Sequence, residues 1–165
     1  MRRMPADAAV VRPATPNDIA RIASIRDGDS ESGPADARMR LYLEGRHHPQ
    51  KALLPRAIFF ATIEHETVGY IGGHLTRRFD CEGELQYLYV APRHRRAGVA
   101  SALVRRLAAW FLEQKVRRVC VNVDTDSPGA EAFYCKHGAR ALQPHWMVWE
   151  DIGVASAASP HQRER

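Results

Sequence analysis

The amino-acid sequence predicts one α/β domain on a mixed sheet, antiparallel in its early part and closed by a strand–helix–strand crossover later. Three observations carry this expectation. Short apolar runs rich in β-branched and aromatic residues alternate with helical apolar stripes. The middle runs follow one another closely, as hairpins require, whereas the late ones are separated by helices, as a crossover requires. A length of 165 residues suits a single domain with a real core.

Residues 1–9 are Ala/Pro-rich and aperiodic and are expected to form a tail, and the domain to span 10–152. "VVRPATPNDIARIASIRDG" reads as a short strand and then a helix. Thr15 is its N-cap, Pro16 its first residue and Asp18 lies three after the cap. Ile19, Ile22, Ala23 and Ile25 form its stripe, and Gly28 ends it. A second helix is expected around Ala35–Glu44, ending at Gly45. "AIFFATIEHETVGYIGGHLTRR" predicts two strands joined by a turn at His65–Glu66, and "GELQYLYVAP" a third, stopped by Pro92. From about Val99 a helix begins, with Val99, Ala100, Leu103, Val104, Leu107, Ala108 and Phe111 on one face and Arg105 and Arg106 on the other. "RRVCVNVD" is the next strand. "SPGAEAFYCKHG" is a short helix capped by Ser127 and Pro128 and ended by Gly138, and "HWMVWEDI" is the last strand. Residues 153–165 are expected to be a flexible tail.

Apolar residues make up 45% of the chain and charged ones 26%, ordinary values for a soluble globular protein. The formal charge of +5 favours acidic partners without bearing on fold. Three cysteines, Cys81, Cys120 and Cys135, form no C-x-x-C pair, which argues against a disulfide framework and a thiolate metal site. Neither H-E-x-x-H nor a Cys/His cluster occurs, and His47–His48 has no ligand partner pattern, so no metal is expected. The N-terminal stretch has no apolar signal region and no run approaches spanning length. A cytoplasmic protein with reduced thiols and no membrane partner is expected.

"RHRRAGVASALVRRL", residues 93–107, holds five arginines and a histidine in fifteen positions. It could be a nucleic-acid-binding helix, a solvated charged face or a cradle for phosphates. A strand stops at Pro92, a loop with one glycine follows, and an amphipathic helix starts directly after it. The first turn of a helix has N–H groups without intrahelical partners and a positive dipole end, so an anion fits there. Gly98 allows close approach to the backbone, and Arg93, Arg95 and Arg96 can add charge-assisted hydrogen bonds. Arg105 and Arg106 read as the solvated face. The segment is neither a P-loop nor a dinucleotide fingerprint. No nucleic-acid-binding signature is present, and the basic residues are not interleaved with stacking aromatics, so no nucleic-acid partner is expected.

"LYVAPRHRRAGVASALV" resembles motif A of the GNAT superfamily of acetyl-CoA-dependent N-acyltransferases, Q/R-x-x-G-x-G/A after a strand. Arg95, Gly98 and Ala100 match in register. "SPGAEAFYCKHGA" resembles the family's N-x-x-A-x-x-F-Y-x-x-x-G-F: Ala130, Phe133, Tyr134 and Gly138 agree, with Ser127 for the usual Asn and Ala139 for the usual Phe. The resemblance spans about Val10–Ile152 and is strong from Glu84 to Ala139. It implies the GNAT fold, a mostly antiparallel mixed sheet splayed between its fourth and fifth strands and flanked by helices. It implies a CoA pyrophosphate held by backbone N–H groups from about Arg96 through Ala97, Gly98, Val99 and Ala100 to Ser101. Pantetheine would lie in the splay against the backbone of Leu88, Tyr89 and Val90. Arg95 and Ser127 complete the expected cosubstrate-binding set.

The resemblance also implies that Tyr134 protonates the departing thiolate, a role open to a phenol near pKa 10. Alternation places Glu84, Gln86 and Leu88 on one strand face. Two readings of Glu84 stand: the general base, directly or through water, that a Glu at this offset serves as in several family members, or a strand-end charge in solvent. His74 is either an acceptor-site residue or, as a lone strand histidine, structural. Cys120 reads as core. Cys135 follows Tyr134 without a Cys–His pairing, so direct transfer without an acyl-enzyme is expected. The expected partners are acetyl-CoA and a primary amine of a small molecule or peptide, and a homodimer stays open. The acceptor site would be shaped by 26–50 and by the turn at 143–146, which carry Asp27, Asp29, Glu31, Glu44, His47 and Trp146. The alternatives are an acyl-CoA-binding module without turnover and a basic nucleic-acid binder.

Overall fold

A computed structural model describes residues 9–15, 18, 39, 41–49, 51–123 and 129–156. The helix expected after Thr15 lies outside these residues apart from Asp18. Of the helix expected at 35–44, Met39 and residues 41–43 are described and helical. Ser127 and Pro128 also lie outside.

The strands are β1 (Val10–Pro13), β2 (Leu53–Ile63), β3 (Glu66–Leu75), β4 (Gly83–Val90), β5 (Val119–Asn122), β6 (Arg140–Gln143) and β7 (Trp146–Trp149). The helices are α1 (Val99–Glu113), α2 (Ala130–Lys136) and α3 (Gly153–Ser156). The seven strands form one sheet in the order β1-β2-β3-β4-β5-β7-β6. Every neighbouring pair is antiparallel except β4 and β5, which run parallel and are joined through α1. This is the expected fold class.

α1 covers one face of the sheet. Its buried stripe, Val99, Leu103, Val104, Leu107, Ala108 and Phe111, is the one its 3–4 spacing predicts, with Trp110 added and Ala100 only partly buried. It packs on Phe59, Ile71, Leu85 and Val90. Burying each large side chain contributes about 1.5–3 kcal/mol, so the stripe is the main anchor of the helix. Gly73 lets α1 come this close: a Cβ there would sit 3.0 Å from Phe111 Cζ and 3.1 Å from Leu107 Cδ2. The opposite face holds a second cluster of Met39, Tyr42, Ile58, Phe60 and Tyr70, with Tyr87 and Tyr89 packed against it.

Four expectations need correction. The β2–β3 turn is Glu64–His65, one residue earlier than predicted, and both residues have positive φ (49° and 69°), as a tight hairpin turn requires. β6 is an additional strand, pairing only with β7. The ordered chain continues past 152: α3 packs with Ala155 2% exposed in the main core, so 153–156 are not tail. Glu84, Gln86 and Leu88 do not share a face. Gly72 pairs with Tyr87 and Gly73 with Leu85, leaving Gln86 as an extra residue in β4. The bulge shifts the alternation, so Leu85, Leu88 and Val90 contribute to the core under α1, whereas Tyr87 and Tyr89 pack on the other side.

Candidate functional site

β4 and β5 are paired over only three positions, Gly83 with Val119, Glu84 with Cys120 and Leu85 with Val121. Beyond them β5 keeps its antiparallel partner, with Asn122 still opposite Trp146, whereas β4 bulges at Gln86. The two strands therefore part. Between them opens a slot of about 600 Å³, walled by Leu88, Tyr89 and Val90 on one side and Val121, Asn122 and Val123 on the other. Leu85 and Gln86 line it where the pairing ends, and Phe133 and Tyr134 line it from α2.

The slot adjoins a recess of about 400 Å³ at the start of α1, lined by Arg95, Arg96, Gly98, Ser101, Phe133 and Lys136 among others. Arg96 (φ 61°) and Gly98 (φ 82°) are both left-handed, and α1 has no side-chain cap. The first α-helical bond runs from Ala102 N to Gly98 O at 3.0 Å, and among the described residues the N–H groups of 96–101 make no hydrogen bond to backbone. Successive unpaired N–H groups at the positive end of a helix form an anion-binding concavity. Gly98 thus answers a backbone need: an L-residue in this conformation costs about 1–2 kcal/mol.

The upstream arginines separate in space. Arg93 turns away to pair with exposed Glu66 at 2.6 Å. Arg95 folds back on β4, its Nε donating to Val90 O at 2.9 Å with the guanidinium over the Tyr89 ring. Of the three, Arg96 and Arg95 line the recess, joined there by Lys136. Ser101 is engaged by His137, Oγ to Nε2 at 2.9 Å. Burial, with Lys136 and Arg105 nearby, pushes the His137 pKa down, which suits a neutral imidazole bonded to a hydroxyl. Sequence reasoning missed Lys136 and His137, since nothing local to α2 shows that it packs on the first turn of α1.

Tyr134 is 7% exposed and stands edge-on to Trp149 at 5.6 Å. Burial pushes its pKa up to about 12. Glu84 is 4% exposed at the closed end of the slot and is not among the residues lining it. It is therefore not a charge in solvent. Its Oε1 accepts from Arg78 Nε at 2.9 Å, and its Oε2 lies 3.4 Å from Nε2 of the fully buried His74. The Tyr42 hydroxyl lies 2.9 Å from His74 Nδ1. Burial raises the Tyr42 pKa, so the phenol keeps its proton, and which of the two groups donates is set by the tautomer of the ring. The Arg78 guanidinium also stacks 4.7 Å over Trp146 of the β6–β7 hairpin. His74 is thus part of a buried polar cluster rather than of the slot wall. Cys120 is core, beside Cys81 and Val148, and Cys135 is exposed. Ser127, Asp27, Asp29 and Glu31 lie outside the described residues.

Known proteins share this architecture. A putative acetyltransferase of the GNAT family from Desulfovibrio desulfuricans superposes with a TM-score of 0.69 at 15% identity, covering 88% of this chain and 99% of its own. An acetyltransferase from Thermus thermophilus gives 0.67 at 21% identity, over 90% and 98%. The PaiA N-acetyltransferase of Thermoplasma acidophilum, solved in complex with coenzyme A, gives 0.65 at 12%, over 86% and 98%. These likenesses show the fold. In sequence, uncharacterised N-acetyltransferases of Mycobacterium bovis and Mycobacterium tuberculosis are 34% identical over 83 residues, 50% of this chain and 52% of theirs. The chain spans about half the length of these curated relatives. The sequence profile of the acetyltransferase (GNAT) family matches residues 21–139, and with the splayed sheet and the loop before α1 already described, the chain belongs to that family.

Proposed function

We propose that the chain is an N-acetyltransferase that moves an acetyl group from acetyl-CoA directly to a primary amine. The observation that carries this reading is the continuity of the slot with the recess at α1. A narrow cleft suited to an extended pantetheine arm ends at unpaired backbone N–H groups suited to a pyrophosphate. Arg96 and Lys136 add positive charge at the recess. The backbone of Leu88, Tyr89 and Val90 lies along the slot, where its N–H groups can polarise a thioester carbonyl. Ala97, Val99 and Ala100 contribute through the backbone of the loop and first turn.

The amine attacks as the free base, so a proton must leave an ammonium near pKa 10. Glu84 takes it through water, because the carboxylate sits one rung behind Leu85 and does not line the slot itself. Tyr134 lines the slot and supplies a proton-bearing hydroxyl to the thiolate. Transfer is direct: Cys135, the exposed thiol beside Tyr134, has no base paired with it among the described residues.

The test is twofold. Acetyl-CoA should raise the melting temperature by mass action, and thiol release should appear with some members of a panel of primary amines. Stabilisation without thiol release from any amine would instead favour the acyl-CoA-binding module. Steeply salt-dependent affinity for oligonucleotides without a response to acetyl-CoA would favour the nucleic-acid binder.

A further inference from the structure

The bulge in β4 leaves one polar atom unaccounted for. Gln86 lines the slot directly beyond the last paired rung, and its Oε1 is closed off from solvent without a hydrogen-bond partner. A buried acceptor without a donor is costly, and native structures satisfy nearly all such groups. The cost is offset if a donor arrives with the substrate. Among the slot-lining residues that bear side-chain donors, Arg95 is turned to Val90 O, Asn122 is exposed, and neither tyrosine hydroxyl, of Tyr89 or Tyr134, reaches Oε1. We infer that the half-buried Gln86 side chain turns into the slot when substrate enters, so that Oε1 receives an N–H of the attacking amine and aims its lone pair at the thioester carbonyl. This rests on the acetyltransferase reading above.

The chemistry of the side chain fits that task. A neutral primary amine has two N–H donors and one lone pair, so it can donate one N–H to Oε1 while the lone pair attacks. A carboxylate in the same place would stabilise the ammonium, which has no lone pair to attack with. The amide accepts the hydrogen bond without favouring that unreactive form. The bulge contributes too, since Gln86 is the extra residue and pairs with no residue of β3. Gln86 is therefore a substrate-positioning residue, selecting nucleophiles that bear a hydrogen on the attacking atom.

Two conjugates test this without knowledge of the natural acceptor: CoA–S–CH₂–C(O)–NH–CH₃, which has an N–H where the amine nitrogen would stand, and CoA–S–CH₂–C(O)–N(CH₃)₂, which has none. Their dissociation constants are measured by calorimetry with the wild type, Gln86→Leu and Gln86→Glu, alongside acetyl-CoA. Each variant's melting curve is recorded to confirm that it is folded. The wild type is expected to prefer the N–H conjugate about tenfold more than Gln86→Leu does, the comparison dividing out the size of the extra methyl. Gln86→Glu, which offers only acceptor oxygens, should keep the preference. Acetyl-CoA should bind the wild type and Gln86→Leu equally. An unchanged preference in Gln86→Leu overturns the inference, and so does its loss in Gln86→Glu, which would make the amide a donor. A matching loss of acetyl-CoA affinity in Gln86→Leu also overturns it, assigning Oε1 to a pantetheine N–H. Failure of acetyl-CoA and both conjugates to bind the wild type would remove the acetyltransferase reading itself, a separate result.

Discussion

Replacing Tyr134 by Phe keeps the ring against Trp149 and Phe133 and removes only the hydroxyl. Burial pushes that phenol's pKa up to about 12, so the hydroxyl keeps its proton and is available as a hydrogen-bond donor to the departing sulfur. A hydrogen bond to a charged group contributes about 1.5–3 kcal/mol, so Tyr134→Phe should lower kcat by roughly 10- to 150-fold.

The sign of the pH dependence follows from the same shift. Burial disfavours the anion, so the donor form persists as pH rises and is lost only near pH 12. The ratio of wild-type to variant kcat should stay flat from pH 7 to 10, and acetyl-CoA affinity should be nearly unchanged. Thiol release at saturating amine, with chemistry shown to limit the rate, measures the first; calorimetry measures the second. A wild-type alkaline limb between pH 8 and 10 that vanishes in Tyr134→Phe would show a normally ionising phenol and refute this reasoning. Equal kcat in the two proteins would refute the role.

Gly98→Val should fold at a cost of about 1–2 kcal/mol for the left-handed backbone and lose the acetyl-CoA-induced rise in melting temperature. An undiminished rise would remove the loop before α1 from cosubstrate binding. Asp18, bonded to Arg12 at 2.7 and 2.9 Å and to Thr15, has its pKa held well below the usual carboxylate range, first by Arg12. Asp18→Asn should lose about 1–2 kcal/mol at pH 7. The gap in melting temperature should begin to shrink as pH falls through about 4, where the unfolded carboxylate takes up its proton, and close only where the folded carboxylate protonates, well below that. A gap that does not shrink between about pH 5 and pH 2 would show that the ion pair is not its source. Cutting after Ser156 should leave the melting temperature unchanged, whereas cutting after Ile152 should lower it by removing buried Ala155; equal effects would contradict the boundary. Glu84→Gln should lose most of its kcat near neutral pH and partly recover towards pH 10, as free amine becomes available, and wild-type kcat at pH 7 would exclude Glu84 as proton acceptor.

Features whose cause is local were legible in the sequence. The α1 stripe, the glycine before it and the runs of β2–β5 follow from periodicity within one segment and form where expected, except that β2 starts four residues earlier, at Leu53, and Ala100 is only partly buried. β6 did not show itself, because Arg140–Gln143 is a short, mostly exposed edge strand held by pairing with β7 across a turn in which His145 has φ 70°. The bulge at Gln86 is set by its register against Gly72 and Gly73, which no pattern within β4 reveals, and one extra residue was enough to misplace the face of Glu84. The same holds at the site. Gly98 and Tyr134 sit in local motifs, whereas Lys136 and His137 reach the α1 terminus only through packing. Arg95 carries a charge the sequence assigns to phosphate, yet its Nε serves the carbonyl at the end of its own strand.

The buried cluster at the closed end of the slot needs a physical reason, since a buried ion pair is often no more stabilising than apolar side chains of similar volume. Its geometry supplies one. His74, Glu84 and Cys120 are cross-strand neighbours on a single rung, where β3, β4 and β5 are all still paired. A slip of β4 by one residue would turn Glu84 towards Leu107 and Phe111 under α1, where a carboxylate would meet apolar side chains instead of Arg78 and His74. The cluster thus penalises every neighbouring register. The next rung, Leu85 with Val121, is the last that β4 and β5 share, and Gln86 follows it as the extra residue. Fixing the rung of Glu84 therefore fixes where the sheet begins to part, and with it the depth of the slot beside Tyr134. On this account the polar cluster contributes to the site by setting register, whether or not Glu84 also accepts a proton there.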